Sequence, residues 1–102
     1  MRSIFLARVD EPRPAVLLTR ERAVGYLTRV TVAPITTRIH RIGIEMRIGP
    51  ENGLAQEYVI NCDNITTTRR GDLLQALGML TEDQNQALAH AISHAFDLQP
   101  TP

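Results

Sequence analysis

The apolar residues of this chain follow two patterns, and the change from one to the other near residue 80 constrains the fold more than any other feature. Before that point the apolar runs are short and are bounded by proline, glycine or other turn-forming residues, which is typical of short strands joined by turns. After it, Leu88, Ile92 and Phe96 recur at helical spacing. The sequence therefore predicts a mainly β chain that ends in one α-helix.

The strand pattern occurs in several separate segments. Strands are predicted at 3–9, 14–18, 28–35, 44–48, 58–62 and 73–80, with 65–68 continuing the fifth of them. Pro14 is expected to be the first residue of the second strand, because proline cannot donate to a ladder. A single helical turn is predicted within 20–27, and 36–43 reads as a polar, basic loop.

The helix has a defined start. Thr81 and Gln84 have the spacing of a capping box, and Glu82 and Asp83 suit the positive end of a helix. We predict a helix over 82–96, followed by a loose tail over 97–102. Several short strands and one amphipathic helix favour a single domain over 1–102, built as a small, strongly bent antiparallel sheet or barrel that the helix closes.

Composition excludes several classes of protein. The chain has only four aromatic residues, which argues against a platform on which bases stack. Its one cysteine, Cys62, cannot form an intramolecular disulfide and lacks the sequence context of a nucleophile. No apolar run approaches a signal-peptide core or a membrane span. We expect a soluble, cytoplasmic protein without a membrane partner.

Charge is distributed unevenly although the net charge is zero. Residues 1–50 hold nine arginines and four carboxylates, a net +5, whereas residues 51–102 hold two arginines and seven carboxylates, a net −5. Such asymmetry predicts one face for a polyanion. All the basic residues other than histidine are arginine, which suits bidentate phosphate contacts. A composition bias of the genome explains the use of arginine equally well.

Two candidate phosphate-binding segments stand out. Arg13 lies at the entrance of a buried strand, where it can meet a phosphate or make an ordinary surface ion pair. Thr36, Thr37 and the basic stretch 38–41 can supply hydroxyl and guanidinium donors, or form a solvated loop. His90 and His94 have zinc-compatible spacing, but no adjacent glutamate or nearby third ligand completes a site. We predict no metal and no cofactor.

Four segments carry a resemblance to the MazF/PemK (Kid) toxins, in the order and spacing of that family. The resemblance spans nearly the whole chain, including the terminal helix. The segments are Arg13-Pro-Ala-Val-Leu-Leu-Thr, Val32-Ala-Pro-Ile-Thr-Thr, Val59-Ile-Asn-Cys-Asp-Asn-Ile and Leu77-Gly-Met-Leu-Thr81.

The resemblance implies an SH3-like barrel that forms a homodimer. It also implies a sequence-selective, metal-independent endoribonuclease that cleaves single-stranded RNA by attack of a ribose 2′-OH and that a cognate antitoxin neutralises. The substrate is expected to be messenger RNA, with ribosomal and transfer RNA as alternatives.

Carried over position by position, the family's catalytic arginine falls on Arg13 and its catalytic Thr or Ser on Thr36. Asp63 and Asn64 match an acidic–amide pair along the family's RNA groove. The other residues expected to contact RNA are Arg20, Thr37, Arg38, His40 and Arg41.

The sequence departs from the family in three places. One is Asn64-Ile65-Thr66-Thr67, which lacks the arginine of the Gln-Ile-Arg-Thr that many relatives have. Only Asp10-Glu11-Pro12 separates the first two strands, where relatives carry a longer loop over the RNA site, and Asn61 stands where some relatives place an acid–base arginine. A catalytically degenerate module that binds RNA or antitoxin is therefore an alternative. An unrelated SH3-like peptide-binding module is disfavoured, because its groove is normally lined with aromatic residues.

Overall fold

The structure, a computed structural model, describes residues 2–37 and 45–98 and contains seven strands and two α-helices in that part of the chain. The predicted loop residues 38–43 and the tail residues 99–102 lie outside the described residues. In chain order the elements are β1 (Ser3–Arg8), β2 (Pro12–Leu17), α1 (Glu21–Val24), β3 (Arg29–Thr36), β4 (Glu45–Ile48), β5 (Tyr58–Asn61), β6 (Thr66–Arg69), β7 (Leu73–Met79) and α2 (Glu82–Ala95).

The strands form one antiparallel sheet in the order β4-β5-β3-β2-β1-β7, with β6 also paired to β3. The predicted mainly β fold with a C-terminal helix is confirmed. One pairing differs from the prediction, because β6 does not continue β5. A 3-10 turn at Cys62–Asn64 separates them, and β6 pairs with the first half of β3 while β5 pairs with its end.

Two prolines lie at points where the pairing of β2 and β3 with their neighbouring strands changes. β2 begins at Pro12, two residues earlier than predicted, so Pro14 is an interior residue of the strand. Its missing N–H is tolerated because the pairing of β2 with β3 ends at Ala15 and Pro34. Pro34 in turn lies between the β6 pairing, which ends at Val32, and the β5 pairing, which begins at Ile35.

Apolar side chains form two clusters, as the alternation along the strands requires. The larger cluster includes Ile4, Val16 and Ile60 and packs against Leu88 of α2. The smaller cluster contains Ala7, Ala15, Leu17, Val30 and Val32. Strands β2 and β3 contribute to both clusters, so their backbones are buried from both sides.

Helix α2 begins and ends with satisfied backbone groups. The Thr81 hydroxyl accepts a hydrogen bond from the Gln84 backbone N–H at 3.2 Å, and Oε1 of Gln84 accepts one from the Thr81 backbone N–H at 2.9 Å. These two bonds confirm the capping box. At the other end, Asp97 has φ 54°, and the N–H groups of Asp97 and Leu98 bond back to His94 and Ser93. These two residues therefore cap the helix, contrary to the predicted loose tail. Phe96, the last of the apolar residues at helical spacing, is 54 % exposed.

The buried side chain of Asn52 joins three parts of the fold. Its oxygen accepts the Gly49 N–H at 3.0 Å, and its amide donates to the Met79 carbonyl at 3.0 Å and to Gln84. Asn52 thereby ties the turn after β4 to β7 and α2. Its backbone also passes so close to Gly78 that a Cβ on Gly78 would collide with the Asn52 carbonyl. None of the described helices is long and apolar enough to cross a membrane.

We predict that Gly78→Ala lowers the free energy of unfolding by about 3 kcal/mol, because the added methyl overpacks a buried backbone contact. Urea denaturation followed by circular dichroism measures the change. Gly25→Ala is the matched control, since a Cβ there meets nothing within 4 Å. Equal stability of the two variants would contradict the close approach of Gly78 to Asn52.

Candidate functional site

Arg13 is the second residue of β2 and stands opposite Ala7 of β1. Its side chain is 41 % exposed, and its Nη2 lies 3.3 Å from Oε1 of Glu11, which is itself 75 % exposed. The surface ion pair considered from the sequence is therefore present. Exposed pairs of this kind contribute little stability, about 0–1 kcal/mol, so Glu11 leaves the guanidinium free to exchange partners.

One N–H group of the Arg13 guanidinium lacks an acceptor in the described part of the chain. Its Nε is buried and has no hydrogen-bond partner among residues 2–37 and 45–98. A buried N–H without an acceptor costs about 1–3 kcal/mol, more on a charged group, so native structures rarely keep one without a reason. A guanidinium that offers Nε and an Nη atom in one plane has the geometry that holds a phosphate or carboxylate.

The strand register brings Arg13 and Thr36 to the same end of the β2–β3 pairing. The last pair between β2 and β3 joins Ala15 to Pro34, and Arg13 and Thr36 each lie two residues beyond that pair on their own strands. Side chains two residues apart leave the same face of a strand, so the guanidinium and the hydroxyl share one face. Thr36 is half-buried and pairs with Val59 of β5.

The cross-strand row that begins at Thr36 ends in a second arginine, which sequence reasoning missed. Val59 pairs with Arg47 of β4, so Arg13, Thr36, Val59 and Arg47 occupy successive strands on one face. Arg47 is exposed and lies 3.9 Å from Glu57. The alternation along β4 could have indicated that Arg47 points away from the core. Its position in line with Arg13 depends on two long-range registers that the sequence does not state.

The other predicted contact residues are distributed along the sheet. Thr37 is exposed directly after β3, and Asp63 and Asn64 are exposed in the 3-10 turn after β5. Arg20 lies beyond the other end of β2, where it precedes α1, so the fold does not bring it close to Arg13. Arg38, His40 and Arg41 fall outside the described residues.

Cys62 is enclosed in the larger cluster and is fully buried. Burial, and then the nearby Asp63 carboxylate, raise the pKa of its thiol above the ordinary value. His90 and His94 are exposed on α2. Within the described ranges, no three His, Cys, Asp or Glu side chains gather as a metal site.

Comparison with known proteins identifies the fold and the family. The family model described as PemK-like, MazF-like toxin of type II toxin–antitoxin systems matches residues 3–96. The chain belongs to this family. Its sequence is 46 % identical over 98 residues to the protein named Endoribonuclease MazF3 of Mycobacterium tuberculosis strain H37Rv, covering 96 % of this chain and 95 % of that one.

Solved structures of MazF proteins have the same fold. The Mycobacterium tuberculosis toxin MazF-mt6 matches with a TM-score of 0.92 and 44 % identity, over 95 % of this chain and 98 % of that one. An endoribonuclease from a mycobacterial species, solved in complex with its cognate antitoxin, matches with a TM-score of 0.85 over 98 % of this chain and 95 % of that one. Its 24 % identity supports the fold alone.

We predict that Cys62 in the native protein reacts with iodoacetamide at pH 8 at least about tenfold more slowly than in urea-unfolded protein. The raised pKa leaves less thiolate, and burial blocks access to the sulfur. Mass spectrometry of samples quenched over time measures both rates. Equal rates in the two states would contradict a buried thiol with a raised pKa.

Proposed function

We propose that this MazF-family toxin is a sequence-selective endoribonuclease that cleaves single-stranded RNA without a metal ion. The observation that carries the proposal is the buried Nε of Arg13, which has no hydrogen-bond partner among the described residues and lies on the same face as Thr36 of the neighbouring strand. These two side chains offer donors to a single phosphate. The relatives named endoribonucleases support the same activity.

The proposed reaction is an internal transfer at one phosphate. The ribose 2′-oxygen attacks the adjacent phosphorus, the bond from phosphorus to the 5′-oxygen breaks, and the products carry a 2′,3′-cyclic phosphate and a 5′-OH. Arg13 stabilises the extra negative charge of the transition state, and Thr36 orients the phosphate. Because the reaction consumes a 2′-OH, DNA is not a substrate.

Two protons must move in this reaction, one from the 2′-OH and one to the leaving 5′-oxygen. Arginine keeps its proton at physiological pH, so Arg13 does not serve as the base. Glu11 is our candidate for the proton acceptor, since its carboxylate already lies 3.3 Å from the Arg13 guanidinium, and solvent water supplies the proton to the leaving 5′-oxygen. This carboxylate occupies the short connection in place of the longer loop of relatives.

Selectivity for one RNA sequence requires side chains that recognise bases near the cleaved phosphate. We assign the reading of bases to Thr37 and the following residues, and to Asp63 and Asn64 along the sheet.

A homodimer is supported by β7, an edge strand that pairs only with β1 among the described strands and exposes Leu74 and Met79. A cognate antitoxin that covers the RNA-binding face would neutralise the toxin in the cytoplasm.

We predict that Arg13→Ala lowers kcat/KM for a single-stranded RNA in EDTA about 100- to 1000-fold, the usual cost of one transition-state donor. Thr36→Ala lowers it about 10- to 100-fold, and Thr36→Ser restores most of the loss because it restores the hydroxyl. Gel-resolved cleavage rates measure these effects, and end mapping identifies the products.

Arg22→Gln is the control, because it removes one exposed arginine from α1 and is expected to change kcat/KM less than about threefold. A 2′-deoxy nucleotide at the cut position is expected to stop cleavage. Full activity of Arg13→Ala, or a requirement for metal, would overturn the proposal. RNA binding without cleavage by the unaltered protein would instead support the degenerate binding module.

A further inference from the structure

Two arginines stand directly opposite each other at the far end of β3. Arg29 of β3 pairs with Arg69 of β6, and both side chains are exposed. Like charges that face each other across a ladder destabilise a sheet. Neither guanidinium has an ion-pair or hydrogen-bond partner in the described part of the chain. The sheet therefore keeps an uncompensated pair of positive charges.

A pair of threonine hydroxyls lies next to the arginine pair on the same face of the sheet. Thr31 pairs with Thr67 two residues further along, so two arginines and two threonines occupy one face of β3 and β6. Thr67 is exposed and Thr31 half-buried. Guanidinium and hydroxyl donors in adjacent rows are the groups that bind nucleic-acid phosphates.

Both arginines line a surface cavity of about 460 Å³. The residues of its lining are Thr28, Arg29, Arg69, Arg70, Gly71 and Asp72. Arg70 has a structural role there, because it donates to the carbonyls of Val24 at 3.1 Å and Gly25 at 2.8 Å. Among the described residues of this lining, Asp72 contributes the one carboxylate, so positive charge prevails. None of these described residues has an apolar side chain, which a docked protein segment would need for affinity.

This surface is separate from the candidate catalytic site. Arg29 and Thr36 are seven residues apart in β3, so about 23 Å separates them along the strand. An odd spacing also puts their side chains on opposite faces of the strand. A stacked RNA strand, at about 3.4 Å per nucleotide, needs about seven nucleotides to span this distance, and the passage from one face of the sheet to the other adds to it.

We infer that Arg29 and Arg69, with Thr31 and Thr67, form a second site for the phosphate backbone of RNA. The inference rests on the proposed endoribonuclease function, since it assigns the bound anion to the substrate. The site holds a flank of the RNA whatever its sequence, while the Arg13 face acts on the scissile phosphate. Arg20, which leaves β2 near the same end of β3, can extend the contact.

The experiment compares two RNAs that share one cleavage sequence, a hexamer and a chain of about 30 nucleotides. Binding is measured by fluorescence anisotropy at several salt concentrations, in the Arg13→Ala background so that the RNA stays intact. We expect Arg29→Gln with Arg69→Gln to weaken binding of the long RNA about tenfold. The salt slope should fall by about 1.4, the value for two single-strand phosphate contacts.

Two controls separate this site from general charge. For the hexamer, we expect the double variant to bind less than about threefold more weakly. Arg22→Gln with Arg8→Gln removes the same charge from outside the cavity and should weaken long-RNA binding less than threefold. Asp72→Asn removes the carboxylate that lines the cavity and should strengthen it.

Equal losses for the two RNAs, or equal losses in the two double variants, would overturn the second site. If an acidic peptide binds the unaltered protein but not the Arg29→Gln, Arg69→Gln variant while long-RNA affinity stays constant, the surface serves a protein segment and the inference is wrong. Cleavage of the hexamer by protein with native Arg13 is measured in parallel. Failure there overturns the proposed function, whereas the anisotropy data decide the second site by themselves.

Discussion

The backbone ladder of β3 is the interaction on which the rest of the structure depends. This strand pairs with β2 on one edge and with β6 and then β5 on the other, so it fixes the register of three neighbours. Those registers decide which side chains share a row and a face. They put Arg13 and Thr36 on one face at one end of β3 and Arg29 opposite Arg69 at the other.

Packing makes these positions rigid. β2 and β3 contribute side chains to both apolar clusters, and Val16, Val32 and Ala33 are fully buried. A side chain mounted on such a strand is held more precisely than one on a loop, which is what a site acting on one phosphate needs. Another arginine stiffens the scaffold, because Arg2 donates to the Leu17 and Leu18 carbonyls and to Asn85 of α2.

Local patterns in the sequence predicted most of the elements. The capping box located the start of α2, and Gly78 correctly favoured a strand for 73–80 over a helix. Pro14 was predicted to be the first residue of β2 but lies inside it. The rule that confines proline to strand starts applies only where a neighbouring strand needs an N–H donor at that position. Here β3 has already turned to other partners at that level.

Pairing across long sequence separation was the part that could not be predicted. The segments 58–62 and 65–68 both have strand character, but nothing local says that they pair with different parts of β3. For the same reason the alignment of Arg47 with Arg13 and the pairing of Arg29 with Arg69 appear only in the fold. Arg13 and Thr36 were found through the family resemblance. The structure adds their common face and the Arg13 Nε, for which the described part of the chain offers no acceptor.

The central claim is that Arg13 and Thr36 act on the same phosphate, and a double-mutant cycle tests it most directly. Single-turnover cleavage rates are measured for the unaltered protein, Arg13→Ala, Thr36→Ala and the variant with both changes. Residues that act as a unit give effects far from additive, so the double variant should lose at least about 1 kcal/mol less than the two single losses together. Additive losses would show that the two side chains act independently and would contradict a shared phosphate.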